Sequence, residues 1–151
     1  MKKYVAYGIG AALVDTEIKV QDDDLAEMNV DKGMMTLVDE ARQAQLLAHL
    51  QGHLVKASHA SGGSAGNSMI ATAQFGGPTF MSCKVAADRD GDIYVADLEA
   101  AGVDHGLNGS RAAGTTGKCL VLITPDAERS MNTFLGISET LSVEDVDAAA
   151  I

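Results

Sequence analysis

The run Ser61-Gly62-Gly63-Ser64-Ala65-Gly66-Asn67-Ser68 constrains this chain more than any other segment. It follows a short extended stretch, Val55-Lys56-Ala57, and precedes small and apolar residues at helical spacing, with Met69, Ile70 and Ala73 on one face. It therefore couples a strand end to a helix start. Glycines there let a ligand or a second backbone approach closely, and the first N–H groups of a helix have no partner within it. Asn67 falls in that first turn and can offer a hydroxyl both a donor and an acceptor. The plain alternative is a loop whose glycines serve tight helix packing.

The segments on either side alternate in kind. Tyr4 to Tyr7 reads as a buried strand ending at Gly8-Ile9-Gly10, and Glu17-Ile18-Lys19-Val20 has the period of two of a second. Asp22-Asp23-Asp24 opens a short helix through Met28, where acidic groups favour the dipole. Met34 to Val38 is a further strand. Asp39 can cap the next helix and Gly52 can end it, with Leu47, Leu50 and Leu54 as its apolar stripe. Gly76-Gly77-Pro78 closes the helix after the glycine-rich turn. Thr79 to Val85 is a strand, Asp90 to Ala101 a helix stopped by Gly102. Cys119 to Thr124 and Arg129 to Leu135 form a hairpin around Pro125-Asp126, and Ser142-Val143-Glu144-Asp145 opens a helix with a capping signature. The predicted class is α/β, a mainly parallel sheet flanked by helices and carrying a small β flap.

Composition narrows the function. With 151 residues the chain suits one domain or one half of a larger two-lobed one. Its 11 basic and 21 acidic residues give a net charge of −10, and no Lys/Arg cluster interrupts it, which argues against a nucleic-acid partner. No apolar run is long enough for a membrane span. Two cysteines make no disulfide framework, so a cytoplasmic location is expected. With no Trp and six other aromatics, the core must rest on aliphatic residues and seven Met.

Several motifs fail on spacing. Gly8-Ile9-Gly10 lacks the third glycine of a dinucleotide fingerprint, Leu13 standing in its place. Gly114-Thr115-Thr116-Gly117-Lys118-Cys119 has its glycines too close for a phosphate loop, and Cys119 replaces the magnesium-binding hydroxyl. Asp88-Arg89-Asp90-Gly91-Asp92 with Glu99 mimics a calcium loop but has Ile93 at the sharp turn, and reads equally as an acidic helix start. His49 and His53 are four apart without an adjacent Glu, so no metal site is expected. Asp15, just beyond the first strand, could accept two hydrogen bonds from a diol; its plain reading is a turn residue.

Taken in order, these residues resemble the N-terminal half of the ribokinase-like (PfkB) carbohydrate kinase family, nearest its adenosine-kinase-like branch. Gly8-Ile9-Gly10 with Asp15 resembles the family's first strand and substrate aspartate. Ser61 to Ser68, continuing through Ala71, Ala73 and Gly76-Gly77, resembles its first signature. Ser82 to Gly91 resembles its strand and D-x-x-G turn, while Thr116-Gly117-Lys118-Cys119 and Asp126 to Met131 resemble its lid hairpin.

The resemblance implies transfer of the γ-phosphoryl of MgATP to a hydroxymethyl of a sugar or nucleoside. Asp15 would grip ribose hydroxyls, with Gly62, Gly63, Ser64 and Asn67 binding the same sugar from the opposite side. Met35, Leu37, Met131 and Thr133 would cover it from the lid, although alternation alone makes them ordinary sheet packing. Arg129 would neutralise charge on the phosphate. Lid strands are expected at about 15–20, 33–38, 105–111 and 117–136. The family's Gly-Ala-Gly-Asp motif, which supplies the base and an anion hole, is absent, and Ala11 stands where many members carry Asn. The chain therefore reads as a substrate-and-lid half without catalytic residues of its own. MgATP, and any monovalent cation, would be held mainly by a missing C-terminal half, and a homodimer could form through the lid. A stand-alone, non-catalytic binding or dimerising module is the alternative.

Overall fold

The computed structural model describes residues 3–52, 58–107, 109 and 111–151. In chain order the elements are β1 (Ala6–Ile9), β2 (Leu13–Lys19), α1 (Asp22–Glu27), β3 (Met35–Leu37), α2 (Glu40–His49), β4 (Ser58–Gly62), α3 (Ser64–Gln74), β5 (Thr79–Ser82), α4 (Arg89–Ala101), β6 (Asp104–His105), β7 (Gly117–Ile123) and β8 (Arg129–Phe134). Two 3-10 turns, Gly136–Thr140 and Val143–Asp145, follow. The chain divides into two compact units: Met1–Val14, Ala60–Gly117 and Leu135–Ile151 form one, Asp15–His59 and Lys118–Phe134 the other.

The first unit holds a three-stranded parallel sheet in the order β1-β5-β6. All four residues of β5 are buried, as expected of a parallel strand covered on both faces. Met69 of α3 and Tyr94 and Leu98 of α4 pack with Met81 and Val103 in its core. Gly66 makes that packing possible, because a Cβ there would collide with the Tyr94 hydroxyl. Helix α4 begins where the Asp88 carboxylate accepts the Gly91 N–H at 2.8 Å, and it ends at Gly102, whose φ of 77° suits a residue without a Cβ. Asp88 also accepts the Thr116 N–H at 2.8 Å and its hydroxyl at 2.6 Å. The acidic segment that resembles a calcium loop is thus a helix cap and a loop tie.

The second unit is built on a five-stranded sheet, order β3-β8-β7-β2-β4. β7 and β8 form the expected antiparallel hairpin, with Cys119 opposite Thr133, Val121 opposite Met131 and Ile123 opposite Arg129. β3 joins parallel to β8, with Met35 beside Met131 and Leu37 beside Thr133. Helices α1 and α2 cover one face: Leu25, Met28, Leu46 and Leu50 pack on Ile18, Val20, Leu120 and Leu122. Asp39 caps α2 as expected, accepting the Arg42 N–H at 2.7 Å.

Three sequence readings shift. The buried stripe of α2 is Gln43, Leu46 and Leu50; Leu47 only borders the core, and Leu54, His53 and Val55-Lys56-Ala57 lie outside the described residues. The apolar pattern hides this because Gln43 is polar, yet it is 4% exposed and donates its amide to the Lys118 carbonyl at 3.2 Å. In the segment 105–111, expected as a lid strand, His105 instead ends β6 beside Met81 of β5, because Gly102 turns the chain straight back into the parallel sheet. The tail after Ser142 forms a single 3-10 turn rather than a longer helix.

Candidate functional site

Side chains on successive strand residues point to opposite faces, so the helix-covered face of the second sheet leaves a defined remainder. Ile18 and Val20 face the helices; Asp15 and Glu17, at odd positions of β2, face the other way. The cross-strand register adds Cys119 and Val121 from β7, Arg129, Met131 and Thr133 from β8, and Met35 and Leu37 from β3. Six residues expected to bind substrate or phosphate (Asp15, Met35, Leu37, Arg129, Met131 and Thr133) therefore share one face of one sheet. Met35 and Leu37 are 55% and 60% exposed, although both belong to a strand. Glu17, Cys119, Val121 and Ile123 also lie on this face, and the parity of the strands is the signal that could have placed them there.

The electrostatics of the face centre on Asp15. Burial pushes its carboxyl above the usual carboxylate range, Glu17 pushes it further, and Arg129 pulls it back down. Arg129 lies 3.6 Å from the Glu17 carboxylate, with both side chains well exposed. The Thr133 hydroxyl donates to the Cys119 sulfur at 3.3 Å. Burial raises the Cys119 thiol, and Asp15 adds to that rise. A half-buried carboxylate, a neutral thiol and flanking apolar side chains make a surface able to hold a hydroxylated ring against aliphatic walls.

The remaining predicted residues lie in the first unit. Gly62 ends β4, Gly63 is the N-cap of α3, and Ser64 and Asn67 stand exposed in its first turn. Gly63 has φ 89° and ψ 134°, and a Cβ on it would lie 2.5 Å from the Ala11 carbonyl oxygen. Only glycine meets both conditions without strain. No side chain caps α3, and Asn67 N–H closes the first helical bond to the Gly63 carbonyl at 3.0 Å. This is the turn that the glycine-rich run announces: a helix start with its leading N–H groups uncapped.

Residues 29–151 match the pfkB family carbohydrate kinases. The chain belongs to this family. A probable sugar kinase from Rhizobium etli CFN 42 superposes on it with a TM-score of 0.90 at 35% identity, over 99% of this chain and 44% of that one. An adenosine kinase from Sinorhizobium meliloti gives 0.86 at 36% identity, covering 96% and 43%. At 23% identity, the adenosine kinase of Schistosoma mansoni solved with adenosine shows the same fold, with a TM-score of 0.80 over 95% and 41%. The chain thus spans less than half the length of these structures. A comparison with curated proteins returned no match. The fold is the ribokinase-like α/β arrangement, present in part.

In this pfkB-family chain the segment Gly114 to Cys119 does not act as a phosphate loop. Gly117, Lys118 and Cys119 lie within β7 and open no helix. Among the described residues, no group of three His, Cys, Asp or Glu could hold a metal ion. His49 instead approaches Glu27, 3.5 Å away. No described helix is long and apolar enough to cross a membrane.

Proposed function

We propose that this chain is the substrate-binding and lid part of a sugar or nucleoside kinase, an enzyme passing the γ-phosphoryl of MgATP to a hydroxymethyl group. The observation that carries the reading is the shared face of Asp15, Arg129, Met131, Thr133, Met35 and Leu37. Asp15 accepts sugar hydroxyls; Gly62, Gly63, Ser64 and Asn67 offer backbone and amide groups at a helix start; the apolar residues cover the ring. Arg129 offsets charge on the phosphoryl group. The strands at 15–20, 33–38 and 117–136 act as the lid. Its β3 edge, with Met34, Met35 and Leu37 more than half exposed, is the surface through which two copies would pair.

MgATP and the catalytic base belong, on this reading, to polypeptide beyond these residues, and the protein works in the cytoplasm. Support comes from the coverage of its relatives and from β1. That strand pairs on one side only among the described strands, and Val5, just before it, and Ile9, at its end, are 68% and 52% exposed.

The test is isothermal titration of the chain with adenosine and with ribose. A hydrogen bond to a charged group contributes about 1.5–3 kcal/mol, so Asp15→Ala should weaken binding by about 10- to 150-fold. Asn67→Ala should weaken it less, by about 3- to 10-fold, because a neutral amide is lost. Unchanged affinity in a folded Asp15→Ala variant refutes the assignment of Asp15. Failure of the unmodified chain to bind either ligand refutes the binding reading.

A further inference from the structure

The same face contains a carboxylate that the reading above does not use. Glu17 stands two residues beyond Asp15 on β2, and its Oε1 is 3.6 Å from the Arg129 guanidinium. Side-chain exposures of 43% for Glu17 and 61% for Arg129 leave both able to exchange partners with a ligand. We propose that Glu17 is a positioning residue that holds Arg129 in the absence of phosphate and releases it to a phosphorylated ligand. The proposal rests on the assignment of this face to substrate.

Glu17 and a phosphate compete for a single cation, Arg129. A guanidinium holds a carboxylate or a phosphate best when two parallel N–H groups meet two oxygens. Glu17 stands beside that guanidinium at 3.6 Å, so a phosphate that draws Arg129 into such a pairing competes with it. The phosphate also meets the negative field of Glu17 itself. A neutral nucleoside meets neither obstacle. Glu17 therefore tunes discrimination between unphosphorylated substrate and phosphorylated product on this face. It favours entry of the former and departure of the latter. Glu17 also acts on Asp15, raising its carboxyl, while Arg129 lowers it. That influence falls on hydroxyl binding and is common to both ligands, so it cancels when their affinities are compared as a ratio.

The experiment is a double-mutant cycle on the full chain, reading the ratio of AMP affinity to adenosine affinity by titration calorimetry. An exposed ion pair is worth about 0.2–1 kcal/mol, so Glu17→Gln should raise that ratio about 1.4- to 5-fold. The rise should disappear in an Arg129→Ala background, and it should shrink at high salt. A merely structural role for Glu17 would move both affinities together and leave the ratio alone. A ratio unchanged by Glu17→Gln overturns the proposal. A rise of equal size without Arg129 also overturns it, leaving simple repulsion. If the unmodified chain binds neither AMP nor adenosine, the substrate reading of the face falls and takes this inference with it. If adenosine binds and only the ratio fails to respond, the substrate reading stands alone. Glu17→Ala, with the same expected direction, guards against a defect peculiar to the glutamine.

Discussion

Replacing Gly63 by Ala tests whether the glycine-rich turn is a geometric requirement or only a flexible loop. Two costs can be read from the structure. The backbone sits at φ 89° and ψ 134°, where a side chain is strained, and such positions cost about 1–3 kcal/mol. The new Cβ would also lie 2.5 Å from the Ala11 carbonyl oxygen, closer than the 3.0 Å that real Cβ contacts respect. Either α3 or the chain at Ala11 must retreat, a form of overpacking worth about another 1–3 kcal/mol. Together these should remove about 2–6 kcal/mol. At about 2–4 °C per kcal/mol for a chain of this size, Tm should fall by about 4–24 °C. The assay is thermal unfolding followed by circular dichroism, with Gly52→Ala as the internal control. A methyl group on Gly52 would have nothing within 4 Å and the backbone there has no left-handed φ, so Tm should stay within about 2 °C. A Gly63→Ala protein that melts with the unsubstituted chain would refute the reasoning, as would an equal loss at Gly52.

Other outcomes follow from burial and charge. Leu46→Ala, at a fully buried position, should cost about 2–5 kcal/mol in urea unfolding, and Leu47→Ala clearly less; equal losses would move the stripe of α2 back to Leu47. The His105 side chain is 3% exposed, accepts the Leu107 N–H at 3.1 Å and has its imidazole held below its ordinary value of 6.5, chiefly by burial. Its folded state prefers the neutral ring, so its contribution is complete above pH 6.5 and is lost as pH falls through the folded value; His105→Gln should flatten Tm against pH in that window, and an unaltered slope would exclude it. Burial pushes the Cys83 thiol up to about 12, so at pH 8 it should react with a thiol reagent only on unfolding, and rapid labelling of native protein would contradict its burial.

What is local is legible in the sequence. Glycine at a strand-to-helix turn, Asp39 and Asp88 as caps, Gly102 as a stop and the Pro125-Asp126 hairpin each depend on a few adjacent residues, and each stands in the structure. What depends on register is harder to see. The sequence points to Asp15 without Glu17 and Cys119, although strand parity puts all three on one face, because no single strand tells which neighbour it will meet. Gln43 escapes notice in α2 because hydropathy counts a buried amide as surface, whereas its bond to the Lys118 carbonyl makes burial tolerable. The family resemblance assigns His105 to a lid strand, and the parallel pairing with β5 takes it to the other unit.

The charge of the chain bears on the division of labour proposed for it. A net charge of −10 opposes the approach of a polyphosphate, and the face that would receive substrate carries two carboxylates, Asp15 and Glu17. Neutral sugars and nucleosides bear no such cost, and a carboxylate is the natural acceptor for their hydroxyls. Arg129 then serves as a local cation in an acidic setting, already engaged by Glu17. A kinase assembled from this part needs its phosphate-neutralising groups supplied chiefly from elsewhere, because phosphoryl transfer relies on positioning and charge stabilisation at the polyphosphate. The same acidity that weakens retention of a phosphorylated product would favour its release, which is why the ratio of AMP to adenosine affinity, rather than either affinity alone, reports on how this face works.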